Sequence, residues 1–266
     1  MEFRILGPFE AIDDGKLVQL GRRRRQERLV LATLLIDADR LVSMERIFEV
    51  LWASQTPRSA RSAVQTYVNR VRSDLAPYGV QIVTRGDRYL LRTEGHRIDA
   101  ANFGDIAKRA FLTPDPREQV HILDQALALW RGPLLADLTD DVARQRLGGP
   151  LIDLWFTCLE TRAAAQLARR QHLRVISELA NVVDQHPARE ALVSSLMTAL
   201  YRAGRQAEAL HLYETTRTTL LRDLGVEPGR QLRELHRRIL RVEHPPHQLR
   251  HLVRQPPFVI MVGVRW

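Results

Sequence analysis

Residues 58–75, RSARSAVQTYVNRVRSDL, can bury only one side of themselves, and the surrounding fold must supply a core for that side. At about 100° per residue, Ala63, Val64, Tyr67, Val68, Val71 and Leu75 sweep one arc of about 140°, which predicts an amphipathic helix. Asp74 alone interrupts that arc. The opposite arc carries Arg61, Ser62, Gln65, Thr66, Asn69, Arg70 and Arg72, with no acid among them. A solvated face ordinarily mixes charge signs. Arginine, glutamine and asparagine without balancing acids are the side chains that reach base edges and phosphates in a DNA major groove.

The flanking segments give this helix a setting. The first twenty residues predict short strands: Phe3 and Ile5 alternate with polar neighbours, and Asp13-Asp14-Gly15 makes a turn before Leu17 to Leu20. After Gly21 the period becomes helical, with Leu31, Leu34 and Leu35 on one stripe. Ser43 predicts the N-cap of a second helix that carries Ile47, Phe48, Leu51 and Trp52 on one face. A loop over 53–57 leads into the helix at 58–75, which should stop near Pro77 and Gly79. Strands at 80–84 and 89–93, joined through Arg85-Gly86-Asp87-Arg88, then predict a hairpin. This order, strands, three helices and a hairpin, is that of a winged helix-turn-helix preceded by a small sheet.

From Asp99 onward the apolar spacing is helical throughout. Phe103, Ile106 and Ala110 mark one helix, and Val120, Leu123, Leu127 and Trp130 another. Gly132-Pro133 and Gly148-Gly149-Pro150 punctuate the next stretch. Five more helices are predicted at 151–169, 173–185, 188–202, 207–224 and 231–242. Val175, Leu179 and Pro187 recur as Ala209, Tyr213 and Leu221 at a spacing of about 34 residues, and Gly204 falls between two helices, as in tetratricopeptide repeats. The fold class expected is therefore mainly α with a small β portion. It comprises a winged-helix domain at 1–97, an all-α TPR-like domain at 98–243, and a Pro-rich tail at 244–266, either disordered or folded against the helices.

Charge and motifs narrow the function. The 266 residues carry a formal net charge of +9, and positions 1–97 hold 17 basic against 12 acidic residues, which favours a polyanionic partner near the winged helix. Within that domain Arg24 and Arg25 belong to a run of four arginines opening the first helix, suited to phosphates at a helix N-terminus. Arg85 and Arg88 bracket the hairpin tip and are expected against a neighbouring groove or backbone. Gln65 and Asn69, one turn apart, are the expected base readers; Arg61 and Arg72 extend their strip, while Thr66 and Arg70 flank it toward phosphates. The lone Cys158, in an apolar run, is expected as a buried structural thiol in a reducing compartment. No Gly-Lys-Ser or Gly-Lys-Thr phosphate loop, zinc-protease motif or nucleophile elbow occurs, so neither catalysis nor a cofactor is expected. His244, His247 and His251 have ligand-like spacing, but Pro245-Pro246 breaks any shared helical face, and no metal site is expected. No apolar run approaches the ~20 residues of a membrane helix, and the opening predicts no signal peptide, so the expected location is the cytoplasm.

These residues carry a resemblance. Phe3-Arg4-Ile5-Leu6-Gly7-Pro8, Asp39-Arg40-Leu41-Val42-Ser43, Gln65-Thr66-Tyr67-Val68-Asn69-Arg70-Val71-Arg72 and Arg88-Tyr89-Leu90-Leu91 resemble the DNA-binding half of the Streptomyces antibiotic regulatory proteins. Leu129-Trp130-Arg131-Gly132-Pro133-Leu134-Leu135, the run from Tyr201 to Leu210, and Leu224-Gly225-Val226-Glu227-Pro228-Gly229 resemble its second half. The resemblance covers about residues 2–243. It departs ahead of the first helix, where four arginines replace a Pro-Lys-Gln-type sequence. It implies an OmpR-type winged helix joined to a bacterial transcriptional activation domain. It further implies an activator, in antibiotic gene clusters, that binds direct repeats in double-stranded promoter DNA as tandem protomers and recruits RNA polymerase holoenzyme. The loop between the second and third helices, here with Ser54, Gln55 and Thr56, would touch polymerase. Two alternatives stand beside this reading: a TPR-like interaction scaffold, and a repressor using the same DNA-binding fold.

Overall fold

In the computed structural model, which describes residues 1–20, 25–53 and 55–241, the segment at 58–75 is a helix from Ala60 to Leu75, and its apolar arc faces the core. Ala60, Val64, Val68, Val71 and Leu75 are buried, with Ala63 and Tyr67 half-buried beside them. Ahead of this helix come strands β1 (Glu2–Arg4), β2 (Glu10–Asp13) and β3 (Lys16–Val18), helix α1 (Arg25–Ile36), strand β4 (Val42–Ser43) and helix α2 (Met44–Trp52), so the helix at Ala60–Leu75 is α3. A 3-10 turn (Ala76–Tyr78) closes it, followed by β5 (Gln81–Arg85), β6 (Arg88–Arg92) and β7 (Arg97–Ile98). The N-cap read at Ser43 is present: its side chain accepts from Arg46 N at 3.2 Å.

Two sheets frame the three helices. One has the order β3-β2-β1-β7, and β7 runs parallel to β1 with Phe3 opposite Ile98. The other has the order β4-β6-β5, with Val42 opposite Tyr89 and Ser43 opposite Arg88. Strands β4 and β7 have two residues each, too short to leave an alternation in the sequence. The hairpin β5–β6 closes through Gly86, whose φ of +62° suits the first central position of a two-residue loop, where glycine is favoured.

Helices α4 (Asp99–Leu112), α5 (Pro116–Leu127), α6 (Asp141–Ala168), α7 (His172–Gln185), α8 (Glu190–Arg202), α9 (Gln206–Leu224) and α10 (Arg230–Arg241) complete the chain. The fold is mainly α with a small β portion, a winged helix followed by helical pairs. Two compact units are present, dividing after Gln171. Helices α4, α5 and α6 therefore pack with the winged helix, although the sequence places a functional boundary near residue 97. In the second unit α7 to α10 pack as neighbouring helices, with Val175, Leu179 and Ala209 buried. Tyr213 stacks on His236 at 3.8 Å between ring centroids, and burial lowers the His236 pKa below the ordinary imidazole value.

Gly148-Gly149-Pro150 interrupts α6 as the sequence predicts: Gly148 has a non-helical φ of −132° and ψ of 27°, and two helical segments meet there across a kink. Pro150 has no N–H to continue the ladder, and a side chain at Gly148 would collide with a methyl of buried Leu134. The Leu147 carbonyl accepts at 2.8 Å from Arg46 of α2. Cys158 is buried as expected, and burial pushes its thiol up to about 12.

The seam between winged helix and α4 runs through Asp99. Its carboxylate accepts from Ile5 N and Leu6 N at 2.9 Å and from Ala100 N at 2.8 Å. Burial pushes this carboxyl above its ordinary range; the three N–H donors and the charge of Arg131 pull the other way. Ile5 and Leu6 are fully buried, so Asp99→Ala would orphan donors that each cost about 1–3 kcal/mol. The expected loss is about 3 kcal/mol or more in urea denaturation, with a smaller loss for Asp99→Asn; an unchanged midpoint for both would contradict this role.

Candidate nucleic-acid interface

Helix α3 presents the polar arc outward as its apolar arc is buried. Arg61, Ser62, Gln65, Thr66 and Asn69 are exposed along it, and Arg61 makes no ion pair among the described residues. Ser62 and Thr66 return their hydroxyls to the carbonyls of Ser59 and Ser62 at 2.9 Å, which fixes their rotamers while leaving the oxygens as acceptors. No acid neutralises the first three turns of this face.

Its second half is braced by its neighbours. Arg70 donates at 2.8 Å to Glu27 of α1, a nearly buried acid, so half the flanking positive charge is turned inward. Arg72, expected to lengthen the reading strip, turns toward the hairpin: Nε donates to the Ile82 carbonyl at 3.1 Å, Nη2 to Thr84 Oγ1 at 3.0 Å and Nη1 to Asn69 Oδ1 at 2.9 Å. The structure thus brings Asn69 and the outer strand of the wing together through one guanidinium. A shallow hollow lined by Thr66, Asn69, Arg70, Ser73 and Asp74 opens beside them.

The wing is held from below. Strand β4 pairs with β6, and Met44 N donates to the Asp87 carbonyl at 3.1 Å, so the hairpin tip is tied to the start of α2. Arg85 and Arg88 face each other across the ladder and are exposed. Like charges directly opposite are destabilising in a hairpin, so the tip holds two cations that nothing in the ladder requires to be adjacent.

The α1 end differs from the sequence picture. Arg25 donates through Nε to the Leu138 carbonyl at 2.8 Å, and Arg28 pairs with Asp137 at 2.6 Å, so both lie against the segment before α6. Arg24 lies outside the described residues. So does Ser54 in the α2–α3 loop, where Gln55 and Thr56 are exposed. The histidines at 244, 247 and 251 are also outside them; among the described residues no group of side chains could hold a metal ion. No described helix is long and apolar enough to cross a membrane. Glu27 and Thr84 are the residues that sequence reasoning missed: Glu27 sits forty-three residues before its arginine, and no local pattern links Thr84 to α3.

A polar-faced helix seated on a core, flanked by an anchored hairpin and followed by helical pairs, defines a winged-helix protein with a C-terminal helical part. Residues 98–240 match the bacterial transcriptional activator domain. The chain is 38% identical over 251 residues to the regulatory protein AfsR of Streptomyces coelicolor, covering 91% of this chain and 24% of that protein. It is 33% identical over 248 residues to the transcriptional regulator RedD of the same organism, covering 90% and 70%. The structure of Mycobacterium tuberculosis EmbR in complex with a low affinity phosphopeptide superposes with a TM-score of 0.75 at 31% identity, covering 92% of this chain and 66% of that one. The chain belongs to the Streptomyces antibiotic regulatory protein family of transcriptional regulators. It spans about a quarter of the length of AfsR and 63% of the EmbR sequence.

The Glu27–Arg70 pair makes a measurable statement about charge. Removing the acid as Glu27→Gln frees Arg70 for a phosphate, which should tighten binding to all DNA sequences alike and steepen the salt dependence, log Kd against log salt, by about 0.9. An unchanged slope in a fluorescence-anisotropy salt titration would mean that Arg70 serves only to fasten α3 to α1.

Proposed function

We propose that this protein is a sequence-specific DNA-binding transcriptional activator of promoters in a secondary-metabolite gene cluster, working in the cytoplasm. The observation that carries the reading is the outer face of α3, where Arg61, Gln65 and Asn69 are exposed without an acid while five apolar residues opposite are buried. In the proposal α3 enters a major groove, Gln65 and Asn69 meet base edges, and Arg61, Ser62 and Thr66 meet bases or phosphates along the same strip. Arg85 and Arg88 reach the adjacent backbone, with Arg24 as a further phosphate contact, whereas Arg25 is held by the Leu138 carbonyl.

Residues 1–97 are the DNA-reading part in this account, and residues 98–243 the part that contacts protein. Direct repeats one helical turn apart would seat tandem protomers on one DNA face. The α2–α3 loop, with Ser54, Gln55 and Thr56, contacts RNA polymerase holoenzyme. The domain match and the relatives named as regulators support activation over a purely structural scaffold.

The test begins with a footprint on promoters near the protein's own gene, expected to cover direct repeats. Asn69→Ala and Gln65→Ala should each relax preference at one base position, losing about 1–3 kcal/mol on the cognate site. Arg85→Ala should weaken all sequences equally and flatten the salt slope by about 0.9. Equal affinity for scrambled DNA by the native chain would favour the scaffold. A footprint without a rise in transcript in a purified transcription assay would favour a repressor.

A further inference from the structure

The three bonds of Arg72 point to a role that base reading alone does not require. A guanidinium carries donors only, five of them, and three are engaged by Ile82 O, Asn69 Oδ1 and Thr84 Oγ1. Two of those partners belong to β5, the outer strand of the wing sheet. The group is therefore pinned to a rigid strand before it meets Asn69. Because it can only donate, the amide of Asn69 must turn its oxygen toward Arg72 and its NH2 away. Helix position contributes as well: Asn69 and Arg72 are three residues apart and share a face of α3, and the Asn69 backbone carbonyl already accepts from Ser73 Oγ at 3.0 Å.

We propose that Arg72 is a specificity-positioning residue, which uses the wing strand to hold the Asn69 amide as a hydrogen-bond donor to the DNA. The proposal rests on the DNA-reading function above. An asparagine that is free to rotate makes a bidentate pair with adenine, its oxygen accepting from N6 and its NH2 donating to N7. With the oxygen held by Arg72, the NH2 alone is offered. A base that shows an acceptor at that edge can then be met, guanine through N7 and O6, thymine through O4 or adenine through N7, while cytosine, which offers only a donor there, is rejected and adenine loses the second bond that would favour it. Arg72 itself touches no base in this arrangement. The wing and the recognition helix thereby act as one reading device, because the strand that supports the wing also sets the amide.

The experiment is selection of binding sites from randomised duplexes by the full chain, by Arg72→Lys and by Thr84→Val, each checked for native thermal unfolding. The native protein should disfavour cytosine about fivefold or more at the position that Asn69→Ala relaxes, the scale of one hydrogen bond, without singling out adenine. Arg72→Lys keeps the charge but not the fork. It frees the amide oxygen for adenine N6 and should shift that position toward adenine about fivefold or more, while preferences at the other positions and the salt slope stay as they are. Thr84→Val removes one anchor without touching charge, and should shift the same single position in the same direction. The proposal is overturned if Arg72→Lys and Thr84→Val both retain the native preference. It is also overturned if Arg72→Met weakens every sequence equally and flattens the salt slope by about 0.9, which is the mark of a phosphate contact. A native chain that enriches no sequence overturns the DNA-reading function itself, and the positioning role with it.

Discussion

A single buried carboxylate joins the two halves of the first unit. Asp99 opens α4, yet two of its three backbone donors come from Ile5 and Leu6, more than ninety residues earlier. Those N–H groups lie at the end of β1, where the strand has left its antiparallel partner, and both residues are fully buried. Water cannot satisfy them, so a side-chain acceptor must. The same contact sets the parallel register of β7 on β1 and fixes where α4 begins. With α4 placed, α5 and α6 have a surface to pack on.

The Trp130–Leu135 segment completes this join. Arg131 N donates to the Leu6 carbonyl at 2.7 Å and Leu135 N to the Ile5 carbonyl at 3.1 Å, so the Asp99-bound residues have their acceptors taken as well. The Arg131 side chain reaches Pro8 O and Glu10, while Leu134 and Leu135 are buried. The Trp-Arg-Gly-Pro-Leu-Leu run is thus a strap across the end of β1, which gives a physical reason for each part: a turn at Gly-Pro, a cation for the strand end, two leucines for the core. Arg25 and Arg28 extend the seam to α1 through Leu138 O and Asp137. The winged helix is therefore braced on its α1 and α2 sides by protein, and its α3 and hairpin sides carry the exposed polar face.

Legibility in the sequence followed how local each signal is. The helices announced themselves through apolar periodicity over ten or more residues, and Ser43 through a capping pattern three residues long. The wing was readable from Arg85-Gly86-Asp87-Arg88 between two apolar runs. Strands β4 and β7 were not, since two residues cannot show alternation and their existence depends on partners far along the chain. The interruption at Gly148 was readable, because glycine and proline signal the loss of ladder bonds; that Arg46 binds the Leu147 carbonyl and that Leu134 fills the space beside Gly148 was not. In the same way α3 revealed which residues face outward but not which are held. Glu27 and Thr84, the partners that turn Arg70 and Arg72 aside, lie on other elements, and only the folded chain brings them near.

That distinction changes how the polar face of α3 should work on the proposed DNA. A row of free arginines would bind any duplex tightly, since phosphate contacts carry no sequence information. Here one guanidinium is half neutralised by Glu27 and a second is spent on the wing strand, leaving Arg61 as the exposed cation beside Gln65 and Asn69. Lowering the uniform attraction while keeping the base-reading groups raises the ratio of specific to non-specific binding, the quantity that matters among many competing sites. In the proposed complex the remaining uniform attraction would fall to the wing, where Arg85 and Arg88 stand opposite each other and a phosphate backbone would relieve their repulsion. On that proposal affinity and selectivity would fall to different elements, and the bonds of Arg72 to β5 and Asn69 would be the physical link between them.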